Sequence, residues 1–356
     1  MSTRSSGVAL RLPVGQKQLH YALYYSRRAL ARVDNAEVRG ARVLLRTLRK
    51  APPDVLYLGD SAVSFVSPDD HDRRRLYRMV ADSLGTEITL HPLHGGSYHP
   101  SLFAEYVRLI EAADRRPLVV LPLCVRVRTL PWIEHPVFGH KQATEYLRTV
   151  RPTTPAWRVH RGFARPTPAD FTAFYPLPHA TWAGDLTIGD YIHRLKNPTG
   201  NGLSDDDRVK LLYAYHHGGV IEQDSIHLEA ITRMATTLRK LGCAVVAYQT
   251  PVPVETGNQF YGPAFSALIR RNFELMDAAY LRGIGDGGAI LQTGMDFRAE
   301  EYIDPRDGSE HLNQKGRLRL AAAITTAVRA RLDERHGGPG AGSTTPRGAA
   351  ESPAQR

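Results

Sequence analysis

Val55-Leu56-Tyr57-Leu58-Gly59-Asp60-Ser61 is the stretch whose reading decides the fold. Four consecutive apolar residues without polar alternation fit a short strand buried on both faces. Pro52-Pro53 precedes it, and Gly59-Asp60-Ser61 ends it with turn chemistry. Beyond the turn the period becomes helical: Leu76, Met79, Val80 and Leu84 share one face, with Ser67-Pro68-Asp69-Asp70 as the expected cap and Arg73, Arg74 and Arg75 on the helix. Glu87 to His91 reads as a second strand, and Pro92 to His99 as a loop. Pro100 starts a helix carrying Phe103, Tyr106, Val107 and Ile110, and Leu118 to Cys124 is a third strand. Strands alternating with helices predict an α/β domain whose parallel sheet is covered on both sides.

The rhythm resumes further on. Leu228, Ile231, Met234 and Leu238 mark a helix before the strand Ala244 to Gln249. Phe265, Leu268, Ile269, Phe273 and Met276 mark another before Ala289 to Gln292. A last helix runs from Gln314 to about Arg331, with Leu318, Ala321, Ile324 and Val328 expected inward. Upstream, residues 18–50 read as two helices. The first carries Leu19, Leu23 and Leu30, the second carries Val38, Ala41, Leu45 and Leu48, and Asp34 is the cap between them. Three segments follow: an N-terminal helical part (1–53), the α/β domain (54–335) and a disordered tail (336–356) rich in Gly, Pro, Ser and Ala. Residues 125–222 interrupt the α/β domain as a cap-like insertion. They hold Trp132, Trp157 and Trp182 and helix-like pieces near 186–196 and 205–216.

With 356 residues, 42% apolar and 23% charged, the chain has an ordinary globular balance and room for a sizeable core. Its net charge of +10 comes from a general arginine bias rather than from basic runs interleaved with aromatics, so no nucleic-acid partner is expected. The 2 cysteines, Cys124 and Cys243, lie in apolar runs, which suits a reducing compartment and no disulfide framework. No signal-like stretch begins the chain and no run of about 18 apolar residues occurs, so a cytoplasmic location without a membrane partner is expected. Nothing sets an oligomeric state.

Ser61 is delivered at the carboxyl end of a strand, where open α/β sheets bind ligands, and beside backbone N–H groups that favour a developing oxyanion. Asp60 can accept hydrogen bonds and hold the turn, and Gly59 allows close chain approach. Far downstream stands Asp304-Pro305-Arg306-Asp307-Gly308-Ser309-Glu310-His311-Leu312-Asn313. A serine hydroxyl is a poor nucleophile until a base removes its proton, and a histidine base needs a carboxylate to fix its tautomer. This segment supplies both groups before a helix cap at Asn313.

Together, Gly59-Asp60-Ser61 after the first strand and Asp-x-x-x-His-Leu-Asn before the last helix resemble the SGNH/GDSL hydrolase family, over about residues 54–124 and 225–333. The resemblance implies a flavodoxin-like three-layer α/β/α fold and acyl transfer to water, an alcohol or an amine. It implies Ser61 as nucleophile, His311 as general base, and an oxyanion-hole glycine in His94-Gly95-Gly96-Ser97, either Gly95 or Gly96, beside the Ser61 N–H. By their place beside that loop, His94 or His99 would line the pocket. Two departures stand out. Cys124 occupies the place of the family's oxyanion asparagine, and a thiol is a weak donor; Arg126, Arg128 and Asn258 are candidate substitutes. The aspartate expected three residues before the histidine is Gly308, so Asp307 is the expected partner and Asp304 the alternative. Glu310, adjacent to His311, is expected to point elsewhere.

No H-E-x-x-H or C-x-x-C pattern supports a metal, and no cofactor is expected. Gly283-Ile284-Gly285-Asp286-Gly287-Gly288 has the letters of a dinucleotide fingerprint, but a helix precedes it and a strand follows, the reverse of the order that motif requires. The expected activity is therefore that of a serine esterase or acylhydrolase acting on a small acyl ester. An acyltransferase and a non-catalytic binding protein on the same fold are the alternatives.

Overall fold

The computed structural model describes residues 36–126, 140–161, 204–286 and 288–336. The first of the two helices expected within 18–50, the Asp34 cap between them, the piece at 186–196, Trp132, Trp182, Arg128 and the tail from 337 lie outside these residues. Helix α1 (Ala36–Lys50) leads to β1 (Val55–Gly59), the short α2 (Ser61–Ser64) and α3 (Leu76–Leu84). Strand β2 (Leu90–His94), α4 (Pro100–Arg108) and β3 (Leu118–Leu123) follow. The insertion contributes α5 (Lys141–Thr149), α6 (Ala156–Arg161) and α7 (Asp205–His217). The second half runs α8 (Ile226–Lys240), β4 (Val245–Gln249), α9 (Val254–Tyr261), α10 (Pro263–Ile284), β5 (Ile290–Leu291) and α11 (Gln314–His336).

Among the described residues five strands form one sheet, all parallel, in the order β2-β1-β3-β4-β5. This is the flavodoxin-like arrangement, whose order reverses between β1 and β3 and opens a crevice at their carboxyl ends. Alternate residues of each strand feed the two faces. Leu56, Leu58, Val119, Leu121 and Ala247 join a core with α1, α4, α8 and α10. Val55, Tyr57, Leu118, Val120, Val246 and Tyr248 join a second core with α3 and α11. The strands read as continuous apolar runs because both faces are covered. From the insertion, Leu147, Val150, Val159, Val209 and Tyr213 belong to the first core, so its described pieces pack on the main body. Trp157 is exposed, with the Arg158 guanidinium over its ring.

Several boundaries differ from the sequence expectation. The second strand is Leu90–His94, not 87–91, and takes in part of the expected loop. Its start is set by Asp54, whose carboxylate accepts from the Thr89 N–H and hydroxyl, and by pairing of Val55 with Leu90. Pro92 is tolerated because β2 is an edge strand. Helix α3 begins at Leu76, behind an Arg75 cap without a side-chain bond, so Arg73 to Arg75 precede it. Ser67 to Asp70 instead form a separate turn, in which the Ser67 N–H donates to Asp70 Oδ2. Asp70 Oδ1 accepts from the Gln314 N–H, at the start of α11. Leu318 faces solvent, because the buried stripe of α11 is Arg317, Leu320, Ala321, Ile324, Val328 and Leu332. The glycine run at 283–288 joins the end of α10 to β5, as its order implied.

Candidate functional site

Strand β1 ends on Gly59, where an added Cβ would lie 2.4 Å from Val63 Cγ2; only glycine lets α2 turn back this tightly. Asp60, buried, then caps α2, its Oδ1 accepting from the Ala62 N–H at 2.8 Å. Ser61 is the next residue and half-buried, at the carboxyl edge of the sheet next to the point where strand order reverses.

The second half of the site arrives 250 residues later: His311 Nε2 lies 3.1 Å from Ser61 Oγ. Its loop is pinned from several sides. Tyr302 and Leu312 form an antiparallel bridge, the Ile303 N–H donates to the His311 carbonyl at 2.9 Å, and the Asn313 N–H donates to Glu301 O. Asn313 caps α11 as expected, its Oδ1 accepting from the Gly316 N–H. Phe65, just beyond α2 and exposed, stacks on the His311 ring at 4.3 Å with the planes 5° apart. No periodicity signals that contact.

Asp307 ends the one-turn 3-10 helix Pro305–Asp307, directly before Gly308 in the left-handed conformation. Asp304 caps that turn, its Oδ1 accepting from the Arg306 N–H. Below the loop, His217 of α7 is fully buried, 2.7 Å from the Gly308 carbonyl. Burial drives the His217 pKa down to about 3, so the ring is neutral and its Nε2–H donates to that carbonyl.

On the other side of Ser61, β2 ends beside the glycine pair. Gly95 is required because an added Cβ would sit 2.3 Å from the Tyr98 ring. Its N–H already donates to the Gly59 carbonyl at 3.3 Å, extending the β1–β2 ladder. Gly96 is exposed, and His140 of the insertion holds its carbonyl through Nε2 at 3.0 Å while pairing with Glu37 through Nδ1 at 2.6 Å. His94 is half-buried and stacks on Tyr77; burial, with Arg75 nearby, pushes its pKa down. Asn258, the other candidate donor among the described residues, uses its Oδ1 on the Ser266 N–H at the α9–α10 junction.

Beneath Ser61 lies a feature only half anticipated. Arg126 and Glu310, 4% and 1% exposed, pair with Nε 2.8 Å from Oε2, and Arg126 Nη2 donates to Ser61 Oγ at 3.4 Å. Cys124 Sγ donates to Glu310 Oε1 at 3.7 Å. Glu310, the sequence neighbour of His311, reaches with its carboxylate into this buried cluster. Burial raises the Glu310 carboxyl to about 7 against the pull of Arg126. Burial alone would lower the guanidinium, yet Glu310, Cys124 and Asp60 hold it above its ordinary value. An ion pair with both partners dry is costly unless its geometry serves something, which makes this one notable beside a hydroxyl.

Among the described residues no cluster of His, Cys, Asp and Glu has the arrangement of a metal site, and no helix is long and apolar enough to cross a membrane. Neither cysteine forms a disulfide, and both are buried. Neither a protein-family model nor a curated protein matches the chain.

Proposed function

We propose that the chain is a serine hydrolase of the SGNH type, acting on small acyl esters through an acyl-enzyme on Ser61. The observation that carries this reading is the 3.1 Å approach of His311 Nε2 to Ser61 Oγ at the carboxyl edge of a parallel sheet. A base within hydrogen-bond reach of a hydroxyl is the geometric requirement for activating it.

In this reading, His311 removes the Ser61 proton as Oγ bonds to the ester carbonyl carbon and the carbonyl electron pair moves onto oxygen. The Ser61 N–H and the glycine loop at Gly96 face the resulting oxyanion, since the Gly95 N–H is engaged by the Gly59 carbonyl. The intermediate collapses by breaking the bond to the leaving alcohol, which takes the proton from His311. Water, activated by the same imidazole, then releases the acid and restores Ser61. Asp307 orients His311 from its loop and stabilises the imidazolium. An alcohol or amine in place of water would make the same site an acyltransferase. The Ser61–His311 contact weighs against a purely binding role, for which no such alignment is needed.

Replacing Ser61 by Ala should abolish hydrolysis of p-nitrophenyl acetate and labelling by a fluorophosphonate probe, leaving the folded state intact by circular dichroism. Equal turnover by the variant would end the reading. Release of free acid alone, in the presence of abundant acceptor alcohols and amines, would favour hydrolysis over transfer.

A further inference from the structure

We infer that Arg126 is a catalytic residue, the side-chain donor to the oxyanion formed at Ser61, aimed by Glu310 and Cys124 where the SGNH pattern uses one asparagine. The inference rests on the serine-hydrolase reading and names a residue of that same site.

Cys124 follows directly on β3, at the asparagine position, and its thiol is too short and too weak a donor to replace an amide. What reaches Ser61 instead is the side chain two residues on. Arg126 Nη2 stands 3.4 Å from Ser61 Oγ, and the oxyanion of a tetrahedral adduct forms only two bonds from that oxygen. The guanidinium is a rigid planar fork, and the ion pair of Nε with Glu310 Oε2 at 2.8 Å, a charge contact not aligned as a hydrogen bond, restrains where Nη2 lies. Cys124 Sγ, on Glu310 Oε1, braces the carboxylate in turn. Three side chains thus present one preorganised donor.

A second role for Arg126, as anchor for an anionic group of the substrate, fits less well. The side chain is 5% exposed, and its Nε side is already occupied by Glu310, which leaves Nη2 as a directed N–H toward Ser61. Arg126 exchanges no proton in the step. It donates a hydrogen bond that strengthens as the carbonyl electron pair localises on oxygen, and so acts on the transition state more than on bound substrate.

The test is hydrolysis of p-nitrophenyl acetate by the full chain. The double variant Arg126→Met/Glu310→Gln removes the side-chain N–H donor at 126 without leaving a buried charge alone. Its kcat should fall about 10²–10³-fold, the loss typical of an oxyanion donor, with KM changed less than about threefold and the thermal midpoint retained. A folded double variant with kcat within about threefold of wild type overturns the inference. Should it not fold, Arg126→Lys decides. That variant keeps the charge but not the planar fork, so kcat should drop at least about tenfold, and an unchanged kcat overturns the inference. Failure of the wild-type chain to hydrolyse the ester or to take up a fluorophosphonate would instead overturn the Ser61 reading, and the role of Arg126 with it.

Discussion

Ser61, His311 and Phe65 form a stack in which one imidazole has a hydroxyl at its edge and a benzene ring over its face. The ring limits how the imidazole can tilt, and in the proposed mechanism its negative face favours the imidazolium that forms when Ser61 gives up its proton. An exposed cation–π contact is worth about 0.5–1 kcal/mol, so Phe65→Ala should lower kcat/KM about two- to fivefold. Phe65 is 47% exposed, so the thermal midpoint should barely move. Tyr at this position should restore the rate, and steady-state kinetics on the three proteins checks it. A full rate in Phe65→Ala would mean that the ring only shields the site. Glycines act at this scale too: at Gly59 and Gly95 the approach of Val63 and of the Tyr98 ring leaves no room for a side chain.

At the scale of elements, Asp70 joins the segment before α3 to the start of α11. Its carboxylate caps α11 at Gln314 and pairs with Arg317, whose side chain is fully buried, at 2.7 Å. Arg317 also donates to the backbone carbonyls of Asp72, Arg74 and Leu312, so one guanidinium knits the segment before α3 to the helix after His311. Burial would raise the Asp70 carboxyl, but the hydrogen bonds from Arg317 and Gln314 outweigh it and hold the group below the usual carboxylate range. Asp70→Ala should therefore destabilise the fold by about 3–5 kcal/mol, the cost of stranding a buried charge, measurable by urea unfolding. Because the folded-state pKa is depressed, this stabilisation is present above the ordinary Asp value and is lost as pH falls through the lowered one. The variant should close on wild type only in strong acid.

For the whole molecule, pH dependence comes from groups that pull in opposite directions. Burial lowers His91 and His94, and takes His217 to about 3, so the unfolded chain binds more protons below the ordinary histidine value of 6.5. These groups make stability fall as pH drops from 6.5 toward the lowered values. Glu310 is raised from 4.5 to about 7, so its folded state holds the proton more tightly and stability falls as pH rises through that window. His217→Gln keeps an N–H for the Gly308 carbonyl and removes the titration. Its thermal midpoint should fall less steeply than that of wild type between pH 6.5 and pH 4, and identical slopes would exclude His217 as a contributor.

Much of the fold was legible along the chain because strand and helix periods are local properties. Val55 to Leu58, Leu118 to Leu123 and the stripes of α1, α8 and α10 lie where their spacing put them. Boundaries failed where a distant partner set them: Asp70 read as a cap for the nearer helix and serves the farther one, and β2 starts where Val55 pairs with it. The sequence by itself determined a parallel α/β sheet and singled out a serine after its first strand and a histidine before its last helix. Only the tertiary structure decided that these two side chains touch, that Phe65 covers the imidazole, and that Arg126 and Glu310 lie dry beneath the hydroxyl. The physical reason is that a hydrogen bond or an ion pair depends on positions in space that chain closure across 250 residues sets, and no residue spacing encodes them.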